Sequence, residues 1–383
     1  VLRLLRHLSL GSLSVQWPDG SVGHFGPGGE PRAALRVDDW ACCRAVLTSG
    51  DIGFAEGYLA GRWSSPDLAA LLRLMLLNRE QVERLIYGSW WGSLAYRMRH
   101  LLNRNTRAGS RRNIHAHYDL GNAFYGLWLD ETMNYSSAWF QGNLSGDLAQ
   151  AQQAKMARAL DAAGVQAGDT VLEIGCGWGA LAQAAAQQGA EVVGLTLSSE
   201  QLAWGRRRLA SAGMAGSADL RLQDWRELGP GQYDAIVSIE MFEAVGRPWW
   251  PAYFAQLARS LKRGGRACIQ TITIRDDLFN RYARSTDFIQ QYIFPGGMLP
   301  SDAQFRAAAG AAGLVVEEGF GFGADYAETL RRWRSRFVDE SAAVQGLGFD
   351  ARFLRLWEFY LAYCEAAFDT GNTDVVQYRL RHA

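Results

Sequence analysis

Thr170-Val-Leu-Glu-Ile-Gly-Cys-Gly-Trp-Gly-Ala180 is the stretch whose reading decides the fold. The β-forming run Thr170 to Ile174 ends in Gly175, Gly177 and Gly179, and Ala180-Leu-Ala-Gln-Ala-Ala-Ala then has the composition of a helix. A strand, a glycine turn and a helix open a nucleotide-sized site in a parallel sheet, because glycine lets backbone and ligand approach where a Cβ would collide. The spacing is Glu-x-Gly-x-Gly-x-Gly, which is not the dinucleotide pattern Gly-x-Gly-x-x-Gly. No Gly-x-x-x-x-Gly-Lys-Ser/Thr follows to cradle a triphosphate.

The flanking segments continue an alternation of strand and helix. A helical stretch from Leu148 leads into the loop, and Glu191 to Ser198 reads as the second strand. Such a strand normally ends in an acid that holds a ribose hydroxyl; here Thr196 and Leu197 stand at that end, with Gln201 as a polar partner. Leu220 to Trp225 reads as the third strand, with Asp224 at its end and Trp225 placed to stack on an adenine. Tyr233 to Glu240 is the fourth, followed by Met241-Phe-Glu243-Ala-Val-Gly246. A helix from Pro251 to Leu261, a turn at Gly264-Gly265 and a strand from Ala267 to Ile272 complete a doubly wound α/β sheet. Residues 275–300 are long for a connection and form a candidate lid. The last portion, around Tyr326 to Trp333 and Phe353 to Phe368, reads as helical and aromatic.

The 383 residues are 48% hydrophobic and 20% charged, enough for one large domain or two smaller ones. The formal charge is zero, so no global field argues for nucleic acid. Five cysteines without a Cys-x-x-Cys pair suit reduced thiols in a cytoplasmic compartment. No apolar run approaches the ~18 residues needed to span a membrane. The chain opens at Val1 rather than Met, as a trimmed chain would, and shows no signal peptide.

Residues 1–96 read as a small α+β domain for lipid contact or oligomerisation, with strands at Leu13 to Trp17 and Ala34 to Val37 and helices at Trp40 to Thr48 and Leu68 to Leu77. Residues 97–112 form a basic linker carrying Arg97, Arg99, Arg104, Arg107, Arg111 and Arg112 and no acid. It is either a solvated connector or a patch for anionic lipid headgroups, beside Trp90-Trp91. Residues 113–383 form the catalytic domain. Its first stretch, His115 to Phe140, is dense in aromatics, which serve as core or as the wall of an apolar pocket. His115, His117 and Asp119 lack further ligands at metal spacing, so no metal site is expected.

The glycine loop resembles motif I of the class I S-adenosylmethionine methyltransferases, a Rossmann-like fold. Further motifs resemble the cyclopropane-fatty-acyl-phospholipid synthase family over nearly the whole chain: His117-Tyr118-Asp-Leu-Gly-Asn122, Tyr135-Ser136-Ser137-Ala-Trp139, Met241 to Gly246, Tyr292-Ile-Phe-Pro-Gly-Gly297, and Tyr326 with Thr329-Leu330. The resemblance implies transfer of a methyl group from S-adenosylmethionine to a cis double bond of a phospholipid acyl chain. Tyr118, Tyr135, Ser136, Glu173, the loop glycines, Thr196, Leu197, Gln201, Asp224 and Trp225 would hold the cofactor. Aromatic faces such as Tyr118, Tyr135 and Tyr326 would steady the resulting carbocation by about 0.5–2 kcal/mol each. A bicarbonate, which the family holds through five positions, would then remove a proton so that the ring closes. Those positions are Ser137, Glu243, Gln270, the Ile272 backbone and Tyr326 here.

Two of the five depart from the family, which has Cys at position 137 and His at 270. The departures put ring closure in question and leave bicarbonate or Glu243 as the base, with a methyl- or methylene-branched acid as the alternative product. Glu240 is either structural or faces the cofactor, and Glu173 orders the loop backbone. A small-molecule N- or O-methyltransferase and a lipid-binding protein without catalysis are the competing readings. A homodimer on the inner face of a membrane is the expected assembly.

Overall fold

A computed structural model describes residues 5–79, 120–229 and 233–383. Tyr118, the basic linker 97–112, Trp90-Trp91 and the His115 to Asp119 cluster lie outside these residues. The chain divides into two compact units: Val1–Leu102 with Arg281–Ile293 and Leu330–Asn372, and Asn103–Asn280 with Phe294–Thr329 and Thr373–Ala383.

The first unit carries a four-stranded sheet of β1 (Gly11–Gln16), β2 (Val22–Gly28), β3 (Arg32–Val37) and β4 (Trp63–Ser64), ordered β2-β1-β3-β4. The hairpin joining β1 to β2 closes where the Trp17 N–H donates to the Ser21 carbonyl. The helix expected to stop at Ser49-Gly50 continues as Ala41–Leu59, broken in place by non-helical Gly50. Asp67 caps helix Leu68–Leu77 by accepting from the Ala70 N–H. Buried Asn78 ends that helix and ties down the chain start, accepting from the Ser9 and Leu10 N–H groups and donating to the Leu10 and Leu74 carbonyls.

The second unit is built on seven strands, β5 (Thr170–Ile174), β6 (Glu191–Thr196), β7 (Ala218–Leu222), β8 (Tyr233–Ile239), β9 (Leu261–Ile274), β10 (Leu314–Gly321) and β11 (Thr373–His382), ordered β10-β11-β9-β8-β5-β6-β7. β5 to β9 run parallel and β11 lies antiparallel between β9 and β10. Val171, Leu172, Ile236 and Val237 are fully buried, as expected of central strands covered on both faces. β10 and β11 are additions to the sequence reading, which placed no element over 314–321 or 373–382. The third strand stops at Leu222, and Trp225 starts a short 3-10 turn instead of ending the strand. Residues 275–300 contain helices Asp276–Tyr282 and Phe288–Tyr292.

Two glycines fix the loop after β5. Gly175 sits at φ +88°, and a Cβ there would lie 2.9 Å from the Met241 side chain. Gly179 sits at φ +80° at the start of helix Ala180–Gln187, where a Cβ would lie 3.2 Å from the Cα of Gly205 in helix Ser199–Ser211. Gly213 shares the left-handed conformation but faces open space. Gly213→Ala is therefore expected to cost about 1 kcal/mol of stability through its backbone alone. Gly179→Ala is expected to cost at least ~1 kcal/mol more, because the Cβ also forces the helices apart. Urea unfolding checks both, and equal losses would show that the crowding at Gly179 is unimportant.

Candidate active site

A cavity opens at the carboxyl ends of β5, β6 and β8, where open α/β sheets bind ligands. Tyr135, Ser136, Glu173, Gly175 and Gly177 line one side, and Thr196, Leu197, Gln201, Asp224 and Trp225 line the other. The structure thus brings these sequence-selected residues around one space. Gly179 lies just behind, fixing the start of the following helix. The Thr196 hydroxyl and the Gln201 side-chain oxygen are hydrogen-bonded at 3.0 Å. Both Asp224 carboxylate oxygens are bound by the Arg226 guanidinium, so this acid shapes the turn that holds Trp225. Tyr125 contacts Tyr135 and Trp178 with ring centroids 5.4 and 5.1 Å apart, making an aromatic wall. The Trp178 indole N–H donates to Asn122, which anchors the glycine loop to helix Asn122–Trp128.

The five positions selected for catalysis lie around two carboxylates. Glu240, directly after β8, has φ +49°, a conformation uncommon outside glycine. Its Oε1 accepts from the Ser137 N–H at 2.8 Å and from the Gln270 side-chain amide at 2.7 Å. Its Oε2 accepts from the Tyr326 hydroxyl at 2.6 Å. The Glu240 N–H donates to the Gln270 carbonyl at 2.8 Å, which holds the unusual backbone in place. Glu243, one short turn further on, accepts from the Ile272 N–H and the Thr271 hydroxyl through Oε1. Its buried Oε2 has no hydrogen-bond partner among the described residues. Ser137 therefore contributes its backbone, since its own hydroxyl donates to the Ala138 carbonyl.

Glu240, which the sequence reading left open, and three further residues of this site were not selected from the sequence. Gln377 on β11 donates to the Gln270 side-chain oxygen at 3.0 Å, so the Gln270 amide nitrogen must face Glu240. Arg158 in turn donates to the Gln377 oxygen at 2.8 Å. Lys155, fully buried on helix Leu148–Ala163, donates to the Ser136 hydroxyl. A lysine on the largely apolar face of that helix, one turn from buried Gln152, was the available signal for the last of these. Nothing in the local sequence marks Gln377.

Burial sets the charge states. It pushes the Lys155 ammonium down to about 8, against the attraction of Glu240, Asp130 and Glu173. It pushes Glu243 up to about 8, helped by the neighbouring Glu240 charge. Glu173 is likewise raised to about 8 by burial, with Lys155 pulling the other way. Burial also raises Glu240, but the Tyr326 hydroxyl, the Lys155 charge and the Ser137 and Gln270 donors all favour its ionised form. Two neighbouring carboxyls with unequal support separate into one anion and one neutral acid. Glu240 has the donors and the cation that favour its ionised form, whereas Glu243, with the neighbouring charge against it, is the one pushed towards the neutral acid.

Removing Lys155 would leave Glu240 without its compensating charge. Lys155→Met is expected to destabilise the protein by about 3 kcal/mol. The variant's Glu240 would titrate further above its unfolded value, so the unfolded chain releases its proton first and stability falls as pH rises. The deficit should deepen from about pH 5 to about pH 7. Chemical denaturation at both pH values checks this, and a deficit that shrinks with rising pH would contradict the assigned charges.

The fold and site have counterparts among known proteins. The mycolic acid cyclopropane synthetase family matches residues 105–378. Tuberculostearic acid methyltransferase UfaA1 of Mycobacterium tuberculosis is 40% identical over 387 residues, covering 99% of this chain and 90% of that protein. Cyclopropane-fatty-acyl-phospholipid synthase of Escherichia coli is 33% identical over 350 residues, covering 91% of this chain and 88% of that one. The crystal structure of mycolic acid cyclopropane synthase CmaA1 complexed with SAH and CTAB aligns with a TM-score of 0.66 at 32% identity, covering 70% of this chain and 97% of that chain. This chain belongs to the mycolic acid cyclopropane synthetase family and is an S-adenosylmethionine-dependent methyltransferase.

Proposed function

We propose that the protein methylates a carbon of a cis double bond in an unsaturated phospholipid acyl chain, with a cyclopropane as product. The observation that carries this reading is the Glu240 carboxylate, held by three donors, among the residues that line a cavity together with the glycine loop, Tyr135, Trp178 and Trp225. Carbon methylation of an alkene needs cation-tolerant walls and one proton acceptor, and this site offers both.

The cavity fits S-adenosylmethionine. Buried Glu173 Oε2 has no hydrogen-bond partner among the described residues, and Gly175 and Gly177 line the cavity beside it. Glu173, Thr196, Gln201 and Trp225 would hold the cofactor, with Asp224 fixing the turn beneath Trp225. When bound, S-adenosylmethionine supplies a methyl group on a sulfonium. Tyr135 and Trp178 line the cavity, where an aromatic face favours a cation by about 0.5–2 kcal/mol. The alkene π pair forms the new carbon–carbon bond and leaves a carbocation on the adjacent carbon. Loss of a proton from the added methyl lets its C–H pair close the three-membered ring. Excluding water protects the cation from capture until that proton leaves.

The phospholipid substrate and a membrane-surface location are supported by the named activity of the Escherichia coli relative and by the six arginines in residues 97–112. Such charges meet anionic headgroups at about 1 kcal/mol each. A homodimer on the cytoplasmic face would let the N-terminal domain present two sites to one membrane. A second product has its own support: the relative covering 99% of this chain is named a methyltransferase, and positions 137 and 270 are Ser and Gln. A hydride shift before proton loss would give a methylene branch.

Mass spectrometry of lipids from cells producing the protein with labelled methionine tests the reading. Unsaturated chains should gain one CH2 that resists catalytic hydrogenation. A gain on chains that still take up hydrogen identifies the branched product, and no label in any acyl chain contradicts the proposal.

A further inference from the structure

The geometry points to Glu240 as the resident base of this enzyme, its carboxylate standing where the family resemblance implies a bound bicarbonate. The inference rests on the proposed methylation of an alkene and deepens it by naming the proton acceptor.

The five positions that the resemblance assigns to bicarbonate do not fit a free anion here. The Ser137 N–H, the Gln270 amide and the Tyr326 hydroxyl all donate to Glu240, at 2.8, 2.7 and 2.6 Å. The Ile272 N–H already donates to Glu243. An anion placed among these donors would have to displace Glu240 and would then face its charge. A carboxylate and a bicarbonate share the same planar pair of oxygens, so a side chain reaching the site makes the free ion redundant.

Three features separate Glu240 from a merely structural acid. Its backbone is held at φ +49°, which a structural salt-bridge partner does not require. Its side chain lines the cavity that holds Glu173, Gly175 and Tyr135, whereas Glu243 is not among the lining residues. Its three donors leave lone-pair capacity on Oε2, which carries one hydrogen bond, so a proton can be accepted there. The Gln377–Gln270 contact keeps the amide nitrogen turned towards Oε1. Gln270 and Tyr326 are thus positioning residues.

In the step itself the Oε2 lone pair takes a proton from the methyl group added to the acyl chain. The C–H electron pair forms the third ring bond and quenches the carbocation, or forms the methylene double bond if hydride has shifted first. Glu240 ends neutral and returns its proton to solvent before the next turnover. No oxidant or second reactant is needed.

The test compares wild type, Glu240→Gln and Glu240→Gly in carbonate-depleted buffer and with added bicarbonate. Unsaturated phosphatidylglycerol vesicles and labelled S-adenosylmethionine serve as substrates. Wild type should turn over equally in both buffers. Glu240→Gln should lose about 100-fold or more in product formation, with cofactor affinity by calorimetry unchanged and no rescue by bicarbonate. Glycine accepts the φ of this position without strain and opens an anion-sized space beside three donors, so Glu240→Gly should be inactive until bicarbonate is added. Turnover by wild type that rises with bicarbonate, or wild-type rates from Glu240→Gln, would overturn the inference. The first of these needs no variant and stands even if both substitutions unfold the protein. A wild type that methylates no unsaturated chain contradicts the proposed function itself, a result distinct from methylation that depends on bicarbonate.

Discussion

A carboxylate withdrawn from water has to be given hydrogen-bond donors, and Glu240 draws them from three separate parts of the chain. Ser137 comes from the loop after helix Asn122–Trp128, Gln270 from the fifth parallel strand, and Tyr326 from the helix that follows β10. None of these elements contacts the others through sequence proximity. Their convergence requires the sheet order that sets β9 beside β8 and inserts β11 beyond it. The same convergence holds the backbone of residue 240 in a conformation it would not adopt alone. Sheet topology and site electrostatics are one constraint seen at two scales.

Charge pairing extends the constraint inwards. Lys155 is the buried cation of the site, and Glu240, Asp130 and Glu173 all act on it. A lysine in such a position destabilises the fold unless anions share its environment. Its charge favours the ionised form of Glu240, while burial and the Glu240 charge push Glu243 towards the neutral form. The division of labour between the two glutamates follows from their donors, since they stand only three residues apart on the same segment.

The sequence made the parallel sheet legible because glycine turns and apolar strands are local signals. Strand β5, its glycine loop and strands β6 and β8 are where the pattern puts them. Strands β10 and β11 were not legible: they pair antiparallel to their neighbours and lack a glycine loop to announce them. That omission concealed Gln377, whose role depends on register with Gln270 across two strands. The positions around the cavity could be chosen from motifs, yet motifs do not say which acid receives which donor. The motif reading favoured Glu243 and left Glu240 open, and only the fold shows that Tyr326 faces Glu240. Likewise the change from Cys to Ser at 137 looks chemical in the sequence, although in the structure this residue serves through its backbone.

The account stands on Glu240 occupying the anion site in the working enzyme. A crystal structure with bound S-adenosylhomocysteine, grown from bicarbonate-containing buffer, tests this most directly. The account predicts the Glu240 carboxylate among the Ser137, Gln270 and Tyr326 donors, with no separate anion between them. A bicarbonate bound to those donors, with the Glu240 side chain turned away, would contradict it.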